Sequence, residues 1–487
     1  MEILSLRGPR SLESSFEYVE GWGMAVGRHA RVLRPRSVDE IVQCFALARA
    51  AGSTLTLRGG GNSYGDASCP AHDMVLDISR MDRVLGFDVH TGVATLEPGV
   101  TIEKLWKTIL PLGFWPRVVS GTMFPTVAGA LAANIHGKNN FAVGTIGDAC
   151  LEFDLVLPSG ELRTCNREQN ADLFHAAIGG FGMLGCFSRI VLKTKRVHSG
   201  NVRVRGESTR DLREMMQYFE AHKATSDYLV GWVDCFPGGD ASGRGLIHDA
   251  SNLHEGEDPA PERSLTVAHQ ELPANILGLF PKSQVWRILK LFNHDLGMRS
   301  INAAKYVAGR LEGMGEPYLQ SHAGFSFLLD YVPNWKWAYG RARAERGLIQ
   351  YQPFVPDAVA HAVHSEILAR CRRAGQVPYL GVFKRHRPDP FWLTHAVDGW
   401  SFALDFKVDP ARRAELWKLC DELTELVISA GGRFYFAKDL VVAAEDTARF
   451  LPPDKLAAFA QLKRACDPET LIEGQLYRRA FRDWIAA

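Results

Sequence analysis

The chain has 487 residues, of which 46% are hydrophobic and 23% are charged, with 56 basic and 55 acidic side chains. This length exceeds what one hydrophobic core usually serves, so we expect two domains with room to bury a large cofactor. A formal net charge of +1 argues against nucleic acid as the main partner.

The cysteines and the apolar runs restrict the compartment. Nine cysteines are scattered, odd in number and never spaced as C-x-x-C, which argues against a zinc site and against a disulfide framework. No metal site is predicted, and a reducing cytoplasm fits best. The N-terminal stretch "MEILSLRGPRSLESS" lacks the pattern of a signal peptide, and no run of about 18 apolar residues occurs. We expect no membrane span, while peripheral membrane contact stays open because an amphipathic patch leaves a weak sequence trace.

The first α/β unit is "RHARVLRPRSVDEIVQCFALARAAGSTLTLRGGG". It predicts a strand around Val32, a helix opened by the capping box Ser37 to Glu40 and stopped at Gly52, and a second strand at 54–57. A glycine-rich loop, "RGGGNSYGD", follows that second strand directly.

Three adjacent glycines allow positive φ and let a large or anionic group approach the backbone closely. A plain turn is the alternative interpretation. A dinucleotide fingerprint of the NAD type needs a helix directly after its glycines and an acid about 20 residues further on. The stretch "NSYGDASCPAHD" has no helical period, so an NAD-type Rossmann site is disfavoured.

Short strands are predicted at "MVLDIS", "RVLGFDV" and "GVATLEPG", followed by a helix at "IEKLWKTIL". Two of these strands are joined closely enough to be antiparallel, which excludes a simple doubly wound fold. In the second glycine-rich region, 121–147, "TVAGALAANI" predicts a short helix whose N-terminus could receive a phosphate. A small-residue helix in a crowded core is the alternative. A third glycine-rich region, 176–197, ends in the predicted strand "SRIVLKT".

From about residue 200 the chain becomes richer in aromatic residues, with a polar, Pro-containing connection at 248–264 that predicts a mobile surface insertion. Strands are predicted at "GLIQYQPFVP", "YLGVFKRHRP" and "GWSFALDFKV", with helices at "DAVAHAVHSEILARCRRAG" and "ARRAELWKLCDELTELVISAGG". This order favours an α+β cap in which helices cover one face of an antiparallel sheet.

Four motifs in order, "RGGGNSYGD", "GTMFPTVAGALAANIHGKNN", "GGFGMLG" and "GGRFYFAKD", resemble those of FAD-linked oxidases of the vanillyl-alcohol-oxidase type. Together with "IQYQPFVP", "GVFK" and "KRACDPETLI", the chain looks closest to their decaprenylphosphoryl-ribose 2′-oxidase branch. The resemblance implies an α+β fold with a two-part PCMH-type FAD-binding domain. It divides the chain into the FAD-binding domain at 1–197, a substrate (cap) domain with an antiparallel sheet at 198–430, and a C-terminal segment at 431–487 that returns to the flavin site.

The resemblance implies that FAD is held by the glycine-rich loops, with its diphosphate on the first two of them. Many relatives carry a histidine that bonds covalently to the flavin where this chain has Asn62, so FAD is expected to be noncovalent. The implied cofactor-binding residues are Arg58, Gly59, Gly60, Gly61, Asn62, Ser63, Tyr64, Gly65, Asp66, Gly121, Thr122, Thr126, Val127, Ala128, Gly129, Asn134, Ile135, His136, Gly137, Phe187 and Tyr435.

The resemblance also assigns catalytic and substrate-binding positions. The implied catalytic residues are Lys438, Tyr64 and His136. Lys438 would stabilise negative charge on the reduced flavin, and Lys438 and Tyr64 both stay open as the general base. The implied substrate-binding residues are Lys138, Gln350, Gln352, Lys384 and Ser401. Ser401 and Ala403 stand where the mycobacterial form has Asn and Cys, which leaves the exact substrate open.

The predicted function is that of an FAD-dependent oxidoreductase. It would oxidise an alcohol of a sugar-like substrate, with a polyprenyl-phosphate-linked pentose as one option, to a carbonyl by hydride transfer to flavin N5. Oxygen or a quinone would then take the electrons. An alditol or aldonolactone oxidase that uses oxygen is the alternative enzyme, and a noncatalytic flavin-binding subunit is the alternative of another class.

Overall fold

A computed structural model describes residues 12–276, 280–312, 316–340 and 346–485 of the chain. Most of the N-terminal stretch considered for a signal peptide lies outside these residues. In the described ranges, no helix combines the length and the apolar character needed to cross a membrane.

The first four strands of the chain form one sheet, which we call the small sheet. Its strands run in the spatial order Glu13–Glu20, Gly27–Arg34, Met74–Asp77, Leu55–Arg58, and the last three are parallel to one another. The predicted helix is Val38–Ala50, and the Ser37 hydroxyl accepts a hydrogen bond from the Glu40 amide at 3.2 Å. The predicted first α/β unit and its N-cap at Ser37 are therefore confirmed. The reciprocal half of the capping box does not form, because the Glu40 carboxylate accepts from the Arg36 amide at 2.7 Å and not from the Ser37 amide.

A six-stranded antiparallel sheet, the long sheet, completes the N-terminal part. Its strands are Val84–Asp88, Val93–Leu96, Cys186–Arg196, Cys150–Val156 and Leu162–Asn166, with Phe114–Pro116 paired to Cys186–Arg196. Its helices are Ile102–Ile109, Val127–Ala132, Asn140–Val143, Ile146–Ala149 and Ala171–Ala177. The predicted strands here and the short small-residue helix all form.

The second half contains a nine-stranded antiparallel sheet, the cap sheet. Its strands run in the order Tyr318–Ser321, Asn201–Thr209, Gly245–Asn252, Tyr228–Val233, Leu380–His386, Gly399–Val408, Pro353–Pro356 and Arg433–Phe434, with Gly347–Tyr351 also paired to Gly399–Val408. A two-stranded ribbon joins Asn275–Ile276 to Phe280–Pro281. The predicted α+β fold class is confirmed, although "GLIQYQPFVP" forms two strands with a break at Gln352.

The longer cap helices differ in how deeply they are buried. Leu212–His222, Asp357–Arg373 and Arg413–Ser429 each bury a row of apolar residues. Val285–Phe292 buries none of its residues, and it lies beside Asp295–Glu312. Short helices form at Pro261–Ser264, Val267–Gln270 and His322–Ser326.

The predicted surface insertion at 248–264 is only partly confirmed, because residues 254–257 are exposed but both ends of the segment are built into the fold. Its first five residues belong to the strand Gly245–Asn252, and the buried carboxylate of Asp258 accepts hydrogen bonds from Ser199 and Ser264. Polar residues such as these occupy the interior because each has a hydrogen-bond partner.

The C-terminal segment returns from the cap sheet to the small sheet. After Arg433–Phe434 come the helices Ala444–Phe450, Pro453–Cys466, Gln475–Ala480 and Arg482–Ile485. The Leu55 amide donates to the Leu471 carbonyl at 2.7 Å, and the buried Lys463 ammonium donates to Met183, Asp467 and Ile472. This return brings Lys438 beside the first glycine loop.

Candidate active site

A cavity of about 510 Å³ lies where the first glycine loop, the helix Val127–Ala132 and the cap sheet meet. Twenty of the predicted site residues line it, from both halves of the chain. They are Arg58, Gly59, Gly60, Gly61, Asn62, Ser63, Gly121, Thr122, Thr126, Ala128, Gly129, Ile135, His136, Lys138, Phe187, Gln350, Gln352, Lys384, Tyr435 and Lys438.

The glycines of the first loop are required by the packing of the protein itself. A Cβ at Gly59 would lie 2.2 Å from the Thr126 hydroxyl oxygen, and a Cβ at Gly60 would lie 2.6 Å from the Phe124 carbonyl oxygen. Gly61 has φ +65°, which disfavours other residues. The loop therefore packs directly against the start of the small-residue helix.

Hydrogen bonds fix two side chains of this loop, one to a residue of the loop itself and one to residues outside it. The Arg58 guanidinium donates to Ser68 and to the Glu20 carbonyl, and the Asn62 amide donates to the Gly60 carbonyl at 2.9 Å. Within the described chain, no acceptor pairs with the backbone N–H groups of Gly60, Gly61 or Asn62. These three N–H groups are available to an anionic ligand.

Tyr64 and Lys438 are in contact, and a half-buried arginine joins the segments that carry them. The Lys438 ammonium lies 3.9 Å from the centre of the Tyr64 ring, a distance typical of a cation–π contact. The residues just beyond this pair, Asp66 and Asp439, both bind Arg479, at 2.8 Å and 2.7 Å. Since a Cβ on Gly65 would lie 2.0 Å from the Asp439 carbonyl oxygen, the two segments touch.

Lys438 lies in an environment that disfavours its charged form. Burial lowers the pKa of its ammonium, whereas the Asp405 carboxylate opposes that shift. Burial also raises the pKa of Asp405, against a hydrogen bond donated by Gln350. Burial and Asp405 raise the pKa of Tyr64 well above 10, so its hydroxyl group stays protonated. The pair Lys438 and Asp405 can therefore take up a proton at neutral pH.

His136 belongs to a buried hydrogen-bonded chain. The Gln352 amide nitrogen lies 3.2 Å from His136 Nε2 and 3.2 Å from Ser401 Oγ, and Ser401 Oγ lies 2.7 Å from His386 Nε2. Because an amide nitrogen only donates, His136 Nε2 accepts here. Burial, followed by repulsion from Lys384, lowers the pKa of His136 well below 6.5, which keeps the ring neutral.

Seven predicted residues lie behind the cavity wall. They include Asp66, which binds Arg479, and Asn134, whose side chain accepts from the Gly147 amide at 3.0 Å. The whole set is Tyr64, Gly65, Asp66, Val127, Asn134, Gly137 and Ser401.

Sequence reasoning missed several residues at or near the cavity. His248 and Lys305 line it, and Asp405 accepts from the lining residue Gln350. His386 packs edge-on against the lining residue His136, and Arg479 binds Asp66 and Asp439 behind the wall. Only Asp405 had a usable signal, because an acid among the alternating apolar residues of "GWSFALDFKV" is unusual in a buried strand.

Comparison with known proteins connects this geometry to a cofactor. The FAD binding domain family matches residues 29–166. Decaprenylphosphoryl-beta-D-ribose oxidase of Mycolicibacterium smegmatis is 28% identical over 469 residues, which cover 94% of this chain and 96% of the relative. The chain therefore carries an FAD-binding domain and is similar to an FAD-linked oxidase over nearly its whole length. L-gulonolactone oxidase of Mus musculus is 26% identical over 197 residues, which cover 40% of this chain and 43% of the relative. D-arabinono-1,4-lactone oxidase of Yarrowia lipolytica is 24% identical over 195 residues, which cover 39% of this chain and 37% of the relative.

The cavity of this FAD-dependent oxidoreductase fits its cofactor. The unpaired N–H groups of the first loop suit a diphosphate, and the apolar walls supplied by Ala130, Ile135 and Phe187 suit flat aromatic rings. Lys438 lines the same cavity, and its protonated form would suit the negative charge of a reduced flavin.

Proposed function

We propose that this FAD-linked oxidase converts a secondary or primary alcohol of a sugar, joined to a polyprenyl phosphate, into a carbonyl. The observation that carries the proposal is the position of Lys438 at the cavity wall, beside the loop that suits the FAD diphosphate and 3.9 Å from the centre of the Tyr64 ring. Burial at this position lowers the pKa of its ammonium. The substrate class is supported by the printed name of the mycobacterial relative, which matches the chain over 94% of its length.

In the proposed reaction, the hydride goes to FAD and side chains of the protein handle the proton. Bound FAD supplies the acceptor for the hydride that leaves the carbinol carbon. The neutral amine of Lys438 takes the hydroxyl proton and becomes an ammonium, while the C–O single bond becomes a carbonyl. The carboxylate of Asp405 and the face of the Tyr64 ring then stabilise the new positive charge.

Tyr64 takes a supporting place in this proposal. Its ring is buried, and its raised pKa excludes a phenolate base near neutral pH. Of the two candidates that the sequence left open, the proposal therefore assigns the general base to Lys438. His136 is neutral and accepts from Gln352, which suits a residue that shapes the pocket.

The experiment is anaerobic mixing of the FAD-loaded enzyme with sugar alcohols, polyols and polyprenyl-phosphate sugars, followed by the flavin's visible absorbance. Bleaching by a phosphate-linked sugar supports the proposal, and bleaching only by free alditols or lactones favours the alternative oxidase. Stopped-flow reoxidation by oxygen and by a quinone then identifies the electron acceptor. The lactone oxidases match less than half of this chain, so the alternative is not favoured.

We further propose peripheral contact with a membrane through the two outer cap helices. Leu291 is 74% exposed and Leu296 71% exposed, and the helix Val285–Phe292 also contributes Leu289 to the cavity. Apolar residues next to basic ones suit the surface of an anionic bilayer. The test is co-sedimentation with phosphatidylserine vesicles. Leu291→Glu with Leu296→Glu should abolish it, and unchanged sedimentation of that variant would contradict the contact.

A further inference from the structure

Cations dominate the cavity wall on the cap side. Lys138, Lys305, Lys384 and Lys438 all line the cavity, and none of the described lining residues is acidic. Buried cations without counter-ions cost free energy, and proteins normally pair them. Lys438 has Asp405 near it, but the other three lysines have no carboxylate that raises their pKa.

Two basic side chains meet on one face of the cap sheet. His248 lies opposite Val230 of the neighbouring strand Tyr228–Val233. On the same face of that neighbouring strand, the ring centre of Trp232 lies 4.5 Å from the Lys305 ammonium. Side chains two residues apart share a face of a strand. Lys305 reaches this face from the helix Asp295–Glu312.

Lys138 approaches the same place from the FAD-binding half. The Leu229 amide donates to the Lys138 carbonyl at 2.9 Å, which ties its backbone to the strand that carries Val230. Its ammonium donates to the Phe325 carbonyl and lies 4.2 Å from the centre of the Phe325 ring. Three basic side chains from three separate segments therefore converge.

The electrostatics of this group support an anionic partner. Burial lowers the pKa of Lys305 to about 8. Burial also lowers the pKa of His248 to about 4, and repulsion from Lys138 and Lys305 adds to that shift. At neutral pH Lys305 is mostly charged, and His248 is a neutral hydrogen-bond donor. Burial, followed by repulsion from Lys384, lowers the pKa of Lys138 well below its usual value, and a bound anion would favour its charged form. Phosphate oxygens accept from both kinds of donor.

We propose that Lys305, His248 and Lys138 form a subsite for the phosphate group of the substrate, separate from the loop that suits the FAD diphosphate. This inference rests on the proposed function, because it places the sugar toward Lys438 and the phosphate on the cap sheet. The group attached to the phosphate then leaves past Leu289, Leu328 and Trp335, which also line the cavity.

The test measures binding to the FAD-loaded enzyme by calorimetry without turnover. Three probes share one sugar: ribose 1-phosphate, its farnesyl phosphodiester and the neutral methyl riboside. Lys305→Gln should weaken both phosphate probes by about 10- to 100-fold, as the loss of a charge-assisted hydrogen bond predicts. The same variant should leave the riboside within about twofold. Lys290→Gln, on the exposed face of the neighbouring helix, is the matched control and should change none of the three.

His248→Asn keeps the site polar and provides a second variant, which should weaken the phosphate probes alone. Equal weakening of all three probes by both variants, or of none, would overturn the subsite, as would a wild-type enzyme that prefers the riboside. Tighter binding of the farnesyl diester than of ribose 1-phosphate identifies a lipid-linked phosphate as the source, and equal binding identifies a free sugar phosphate. Phosphate binding that depends on Lys305, without any flavin bleaching, would leave the subsite standing and refute the proposed function.

Discussion

The role proposed for Lys438, that of a general base, depends on the surroundings of its side chain. An exposed lysine has a pKa near 10.4, so it is almost fully charged at neutral pH and cannot accept a proton. Burial in the cavity wall lowers the pKa of Lys438, and the charge of Asp405 opposes the shift. The same residue in a solvated loop would not perform this reaction.

A pH dependence follows for flavin reduction. The base works in its neutral form, so the anaerobic reduction rate should rise with pH through the lowered pKa of Lys438 and then level off. Lys438→Ala should lose that rise and reduce the rate per bound FAD by about 10²–10³, or roughly 3–4 kcal/mol. Stopped-flow reduction with any alcohol that bleaches the wild type measures both quantities.

Asp405→Asn provides the control for this assignment. The Asp405 carboxylate stabilises the ammonium and raises the pKa of Lys438, so its removal should move the rise to lower pH. A Lys438→Ala rate within about threefold of wild type, or an unmoved profile in Asp405→Asn, would exclude Lys438 as the base.

Asn62 determines how FAD is attached. Its amide donates to the Gly60 carbonyl, and an amide nitrogen is not the nucleophile that a flavin-linking histidine provides. We expect acid or heat to release all FAD into solution. The absorbance of the supernatant after precipitation measures this, and yellow flavin remaining with the precipitated chain would contradict it.

The first glycine loop acts as one element with the segment it touches. Gly60→Val would place a branched side chain where a single Cβ already lies 2.6 Å from the Phe124 carbonyl oxygen. The loop would move, several N–H groups would leave the diphosphate, and each lost charge-assisted bond costs about 1.5–3 kcal/mol. We expect folded protein with little FAD, measured by the ratio of flavin to protein absorbance.

Gly86→Ala is the matched control for that loop, since no atom lies within 4 Å of the added Cβ. It should keep its full FAD content. Normal FAD occupancy in Gly60→Val would mean that the loop is only a turn.

The C-terminal helix Gln475–Ala480 stabilises the site through Arg479. Arg479→Met would leave Asp66 and Asp439 buried without their cation, which typically costs about 3–5 kcal/mol. The melting temperature of the apoprotein should fall clearly. Arg449→Met, which breaks an exposed ion pair with Glu425, should barely change it. Equal melting temperatures for the two variants would contradict this stabilising role of Arg479.

Secondary structure was predictable where one face of an element is buried and the other is solvated. The helix Val38–Ala50 and the strand Cys186–Arg196 show clear periods, and both formed as predicted. The strand Tyr228–Val233 is buried along its whole length, so its sequence "YLVGWV" does not alternate and gives no period. The four-residue edge strand Tyr318–Ser321 is too short to show one.

For the whole molecule, the sequence motifs predicted which residues make up the site better than they predicted the contacts between those residues and the rest of the chain. The glycine loops and Lys438 were found because their residue types are restricted by close backbone approach and by chemistry. The contacts that join the halves were not predictable. Thr122 donates to Asp330 at 2.8 Å across 208 residues, and Arg479 reaches Asp66 across 413. Such pairs leave no local pattern, and neither does the helix that delivers Lys305 to the cap sheet.

The central claim is that the enzyme oxidises a phosphate-linked sugar alcohol in this cavity and reduces FAD in the same step. It is tested most directly by anaerobic titration of the FAD-loaded wild type with farnesylphosphoryl ribose, with flavin absorbance and carbonyl product measured in the same sample. We predict complete bleaching with one carbonyl formed for each FAD reduced. If photoreduction bleaches the flavin but farnesylphosphoryl ribose does not, the claim is wrong.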